Sequence, residues 1–292
     1  MNREVIVTLL KEAGLESYTS ALDSWIYPIA QMVLEPESDH LIPIGSSKVG
    51  GDPDLPQQLE WPTWKNYSMT FIAQINLADC PAELSLPKVG LLSFFYAVQA
   101  MDEEEDFYRN PETCRVIYTC ADQLNPLLRR EAPQNLNEEA LMRSNRVSFV
   151  PSLSVPPSES AYLESLGLGW RGDREDFDKY WGIFLPALSK NWNQEGFIHR
   201  IMGHPDQIQG DMQVGCEMIY GGYTLDNLEK NTELYKQVVA SARKWRLLLQ
   251  IDSEEDKTGI MWGDVGRLYF WIHEDDLKVL RFHRVFCEMQ CT

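Results

Sequence analysis

Asp54 and Asp206 each close a Gly-x-Pro-Asp stretch, in VGGDPDLPQ (49–57) and IMGHPDQIQ (201–209), and Gln74 and Gln250 each interrupt an apolar run, in FIAQINL (71–77) and LLLQIDS (247–253). Gathered in one cleft, Gln74, Asn76, Asp206, Gln209, Asp211, Gln250, Asp252 and Asp264 would offer carboxylate pairs for acid/base work or for holding a cation. The same residue types have a structural use. Proline sets φ for a turn, an aspartate beside it can bond its own backbone, and a buried amide supplies both donors and an acceptor. The structural use is the first reading of these pairs, and the cleft is its functional alternative.

Other spacings exclude familiar chemistry. GSSKVGGD (45–52) has glycines five apart, but Gly51 and Asp52 stand where a phosphate-binding loop needs Lys and Ser/Thr. No GxSxG occurs, and His273-Glu274 is not followed by a second histidine at HExxH spacing. IDSEEDKTGIMWG alternates Asp252, Glu254 and Asp256 as a calcium loop would, yet Lys257 and Gly263 occupy the turn and bidentate positions. That stretch reads as a solvated acidic turn. His283, Cys287 and Cys291 are four residues apart, and on a strand such spacing spreads them about 13 Å, too far to share one zinc. The sequence therefore implies no metal, no cofactor and no recognisable catalytic motif.

The elements that would position these residues fall into a repeat. Residues 1–26 read as helices, with Val5, Ile6, Leu9, Leu10 and Ala13 on one face, Asn2 as cap and Gly14 as stop. From Met32 short runs broken by Pro and Gly indicate strands and turns. VGLLSFFY (89–96) answers VGRLYFWI (265–272), and Gln74–Gly90 and Gln250–Gly266 are both separations of 16 residues. Acid follows each copy, at Asp102, Glu103, Glu104, Glu105 and Asp106 and at Glu274, Asp275 and Asp276, and then a strand beginning Arg-Val. The fold class is thus α+β, with internally duplicated β-rich repeats related by a pseudo-twofold, N-terminal helices and inserted helices. The boundaries are 1–29 for the helices, 30–120 for the first repeat, 121–190 for a connecting segment and 191–292 for the second repeat. Within the connection, FVPSLSVPPSES reads as extended linker and residues 173–188 as helical. TLDNLEKNTELYKQVVASARKW, capped by Thr224, reads as one helix inserted in the second repeat.

SKVGGDPDLP with EWPTW, FIAQINL with LPKVGLLSFFY, GHPDQIQGDMQ, and LLLQIDS with MWGDVGRLYFWI resemble the YwqG-like proteins, also called the DUF1963 family. The resemblance runs from about residue 30 to the C-terminus. It implies an α+β fold with β-rich repeats and brings no established activity; some relatives are associated with toxin and immunity systems.

Charge narrows the partners. Lys+Arg is 26 and Asp+Glu 44, for a net charge of −18, which repels nucleic acid and anionic membrane surfaces. Glu4 and Lys11 break any signal-peptide core, the longest uncharged apolar run is half a membrane span, and six cysteines without CxxC read as reduced thiols. The expectation is a cytoplasmic, noncatalytic binding protein whose acidic loops meet a basic, toxin-like protein in an immunity role. The alternative is an enzyme or small-ligand binder using the cleft between repeats.

Overall fold

The computed structural model describes residues 2–169, 171–192, 196 and 198–292. Helix α1 (Arg3–Glu12) forms because Ile6 and Leu10 bury on one face, the Asn2 side chain accepts from the Val5 amide at 3.0 Å, and Gly14 leaves the helix at φ +75°. With α2 (Thr19–Ser24), α3 (Ala161–Ser165), α4 (Arg174–Lys179), a π-helical turn (Tyr180–Phe184) and α5 (Leu185–Trp192) it completes a helical layer. Leu22, Leu163, Tyr180, Phe184 and Leu188 join Ile6 and Leu10 in its core.

Ten strands form one antiparallel sheet: β1 (Tyr27–Pro36), β2 (Lys48–Val49), β3 (Thr70–Asn76), β4 (Leu91–Tyr96), β5 (Cys114–Thr119), β6 (Asn145–Ser154), β7 (His199–Ile201), β8 (Trp245–Asp252), β9 (Arg267–His273) and β10 (Phe286–Gln290). Their order is β10-β9-β8-β7-β1-β6-β2-β3-β4-β5. The central pair runs from Tyr27 opposite Ser154 to Pro36 opposite Asn145. A meander lies on each side, β3-β4-β5 and β8-β9-β10. Pairing skips Ile72 in one and Leu248 in the other, a one-residue bulge that sharpens the local twist. The sheet curls until its ends approach. Phe94 of β4 and Phe270 of β9 meet edge-to-face at 5.2 Å, and the Cys114 thiol at the start of β5 donates to the Val285 carbonyl at 3.4 Å.

Period-two alternation assigns the layers. Leu268, Phe270 and Ile272 of β9 enter the central core, whereas Tyr269 and Trp271 face Met212 and Cys216 at α6 (Gln213–Gly221). The remaining helices are α7 (Leu225–Lys230), α8 (Thr232–Ala242), α9 (Glu255–Thr258) and α10 (Glu274–Lys278). Among the described residues no helix is long and apolar enough to cross a membrane.

Three sequence expectations change. Residues 149–154, the first half of the stretch read as an extended linker, belong to β6 at the sheet's centre; Pro151 is tolerated because β2 pairs only with Asn145 and Arg146, leaving that stretch without a second neighbour. The inserted helix is two helices, since Asn231 leaves α7 in an extended conformation and caps α8 by accepting from the Leu234 amide. The acidic turn at the end of β8 is solvated only in part: Asp252 and Glu254 are buried and ion-paired, whereas Glu255 and Asp256 are exposed.

Candidate ligand-binding site

The paired polar residues lie in two networks with four strands between β3 and β8 in the sheet order. In the first, Gln74 sits opposite Lys48 and is fully buried. Its Oε1 accepts the Asp54 amide at 2.8 Å, and its Nε2 donates to the Ser46 carbonyl at 2.8 Å and to Asp54 Oδ2 at 2.7 Å. Asp54 also accepts from the Gly45 amide and from Arg129 Nε at 2.9 Å. Lys48, without exposed surface, is held by Asp39 at 2.7 Å and by the Asp52 carbonyl, and burial lowers its pKa. Asn76 ties the Gly45 carbonyl to the Ala78 amide. Each of these polar groups closes a turn or satisfies a neighbour.

The second network has the same framework. Gln250 sits opposite Arg200, accepts the Asp206 amide at 2.9 Å and donates to the Ile198 carbonyl at 2.8 Å. Arg267 bridges Asp206 at 2.6 Å and Asp252 at 3.0 Å. His199 Nδ1 accepts the Asp252 amide, so Nε2 carries the proton and donates to Glu254 at 3.1 Å. Arg200 differs from Lys48. It is 4% exposed, its one side-chain hydrogen bond among the described residues goes to the His204 carbonyl, and burial lowers its pKa. Asp211 caps α6, accepting from Val214 and Ala161, and its pKa rises to about 6 through burial. Gln209 and Asp264 have exposed side chains, so the proposed cleft residues do not converge on one opening.

The acidic candidates are partly occupied as well. Glu104 and Asp106 bind Lys65, and Glu103 accepts from the Tyr67 hydroxyl, which ties residues 102–106 to a small hairpin formed by Thr63–Trp64 and Tyr67–Ser68. Asp102 and Glu105 are exposed. Glu274, Asp275 and Asp276 open α10, where Arg246, Lys278 and Arg284 pair with them in turn. Among the described residues no three His, Cys, Asp or Glu side chains are grouped to hold a metal.

The sequence reading missed a cavity of about 460 Å³ between β1, the end of β7 and α10. Tyr27, Pro28, Pro87, Met202, Leu277 and Leu280 form its walls, and Arg246, Glu274 and Lys278 supply charge. Arg246 is fixed in place: it lies 5.1 Å over the Tyr27 ring, pairs with Glu274 at 2.8 Å and donates to the Arg243 carbonyl and the Tyr162 hydroxyl. Behind it, His204 stacks on Tyr27 at 4.8 Å and donates from Nε2 to the Trp25 carbonyl at 2.8 Å, and burial pushes its pKa down to about 3. Gly203 is required at the floor. It has φ +74°, and a Cβ there would come within 2.1 Å of Ile29 Cγ2.

The model of a domain of unknown function, DUF1963, matches residues 47–291. The chain belongs to this family. None of the curated proteins matches the chain. The DUF1963 span holds the second polar network, most of the first and most of the cavity wall, whereas Asp39, Gly45 and Ser46 of the first network and Tyr27 and Pro28 of the cavity precede it. No motif advertises the cavity, because its residues come from separate elements and are mostly apolar.

Proposed function

We propose that this DUF1963 protein is a cytoplasmic, noncatalytic binding protein whose ligand occupies the cavity beside Arg246. The carrying observation is the cavity's make-up: mostly apolar walls, with Arg246, Glu274 and Lys278 at the polar part of the lining, which is the usual composition of a small-molecule site. Such a site suits a largely apolar small molecule whose polar end accepts from Arg246 or Lys278 and donates to Glu274. Catalysis is the weaker reading, since Asp206, Asp252 and Glu254 are committed to ion pairs that hold them in place. Ser85 is exposed on the cavity rim, so Ser85→Trp fills the opening without disturbing the core. A small-molecule thermal-shift screen should find compounds that stabilise the wild type and leave Ser85→Trp unmoved. Equal shifts in both proteins would remove the cavity from consideration.

We also propose that the two meanders are duplicated units about a pseudo-twofold axis. Support comes from their mirrored places in the sheet order, the bulges at Ile72 and Leu248, and the two glutamines that each receive the amide of an aspartate after Pro. A second functional reading, an acidic face for a basic protein, is favoured by the net charge of −18 and by exposed Asp102 and Glu105. Pull-downs comparing wild type with a variant neutralised at residues 102–106 test it; identical recovery counts against it.

A further inference from the structure

A second cavity, of about 500 Å³, opens between α3 and α8. One stripe of α8 and its C-cap lines it, because Thr232, Lys236 and Ala240 recur every four residues beside Tyr235, Val239 and Arg243. The other wall is Glu164 and Ser165 at the end of α3, with Arg171 beyond them. Three cations against one carboxylate leave this opening two positive charges in excess, in a chain whose net charge is −18.

Those cations have no ion-pair partner among the described residues. Arg243 Nε is buried without a hydrogen-bond acceptor, its guanidinium lying 5.7 Å from the Trp25 ring. Arg171 stacks 3.7 Å over the Tyr235 ring. The one acid is already engaged: Glu164 accepts from the Tyr235 hydroxyl at 2.8 Å and from the Arg171 amide at 3.2 Å. Like charges gathered around a concave, partly apolar surface repel one another unless a counter-charge joins them, and an anion there would gain charge-assisted hydrogen bonds from these donors.

We infer that this cavity binds a small organic anion carrying two negative charges, through a phosphate monoester or a pair of carboxylates. Arg243 and Lys236 take the charged group, Thr232 offers a hydroxyl, and the Tyr235 and Val239 side of the pocket receives the organic part. The site shares no lining residue with the cavity beside Arg246.

Calorimetric titration at constant ionic strength, with inorganic phosphate in one arm, succinate in a second and chloride in a third, tests the inference. Saturable binding is expected with phosphate or succinate, the stronger arm naming the anion class, and none with chloride. Lys236→Ala and Arg243→Gln should each weaken that binding at least tenfold. Lys230→Ala, at an exposed cation already paired with Asp226, and Ser85→Trp should leave it unchanged. Absence of saturation in both anion arms, equal response to chloride, or undiminished binding by Lys236→Glu with its fold intact by circular dichroism, would overturn the inference.

Discussion

Gln74→Leu separates the structural from the chemical reading of the paired glutamines. The substitution nearly preserves volume but removes three bonds, to the Asp54 amide, the Ser46 carbonyl and the Asp54 carboxylate, all at 2.7–2.8 Å. Asp54 keeps Gly45 and Arg129 as partners, so the amide and the Ser46 carbonyl carry the damage. An unsatisfied buried backbone group costs about 1–3 kcal/mol, and the added apolar burial returns part of that, so the expected loss is about 3–4 kcal/mol. Gln250→Leu removes two bonds, to the Asp206 amide and the Ile198 carbonyl, and half-exposed Asp206 can recruit water. Its loss should be about 2 kcal/mol. Urea unfolding followed by tryptophan fluorescence reads both, with the slope against denaturant held as the check on two-state behaviour. A loss below about 1 kcal/mol for Gln74→Leu, or the reverse ranking at constant slope, would refute the assignment of these amides to hydrogen-bond closure.

The two buried cations opposite the glutamines should respond differently to removal. Lys48→Met removes a bond to the Asp52 carbonyl and one to Asp39, which keeps Arg129 and the Asp52 amide as partners, and should cost about 2–3 kcal/mol, whereas Arg200→Met removes a single bond to the His204 carbonyl and should cost about 1 kcal/mol or less in the same unfolding assay. His204 should make the protein acid-sensitive. Its folded pKa of about 3 lies below the unfolded value, so the unfolded state takes up the proton first and stability falls as pH drops from about 6.5 toward 3, by up to about 1.4 kcal/mol per unit; His204→Gln should flatten that slope in urea melts across pH. Glu288 acts at the other side. Burial and the Asp211 charge raise its pKa to about 8, so the stability held with a protonated carboxyl is lost as pH rises from about 4.5 through 8, and Glu288→Gln should raise the melting temperature at pH 8 more than at pH 5. Neutralising residues 102–106 removes both partners of Lys65 and the acceptor of the Tyr67 hydroxyl; amide exchange should quicken across 63–68 while the melting temperature holds.

What the sequence showed was whatever repeats or caps locally. Asn2 and Gly14 bounded α1, and the runs around Gln74 and Gln250 are strands that receive the amides of Asp54 and Asp206, because alternation, caps and turn residues act over a few positions. Pro151 misled, since a proline is compatible with a central strand only where one neighbour is missing, and pairing partners are not local information. The acidic turn misled for a similar reason: Arg267 and His199, which draw Asp252 and Glu254 inward, lie on other strands. Arg246 and Arg243 sit three residues apart within a helix-to-strand junction and line different cavities. Only the packing of β1, α3 and α10 around them makes either arginine part of a site.

Native mass spectrometry of the protein purified gently from its own host tests the binding assignment most directly. The account predicts a bound small molecule, of a size that about 460 Å³ can hold, on the wild type and its absence from Ser85→Trp. A wild-type spectrum with no adduct, after the same preparation retains known ligands on control proteins, or an adduct carried equally by Ser85→Trp, would contradict it.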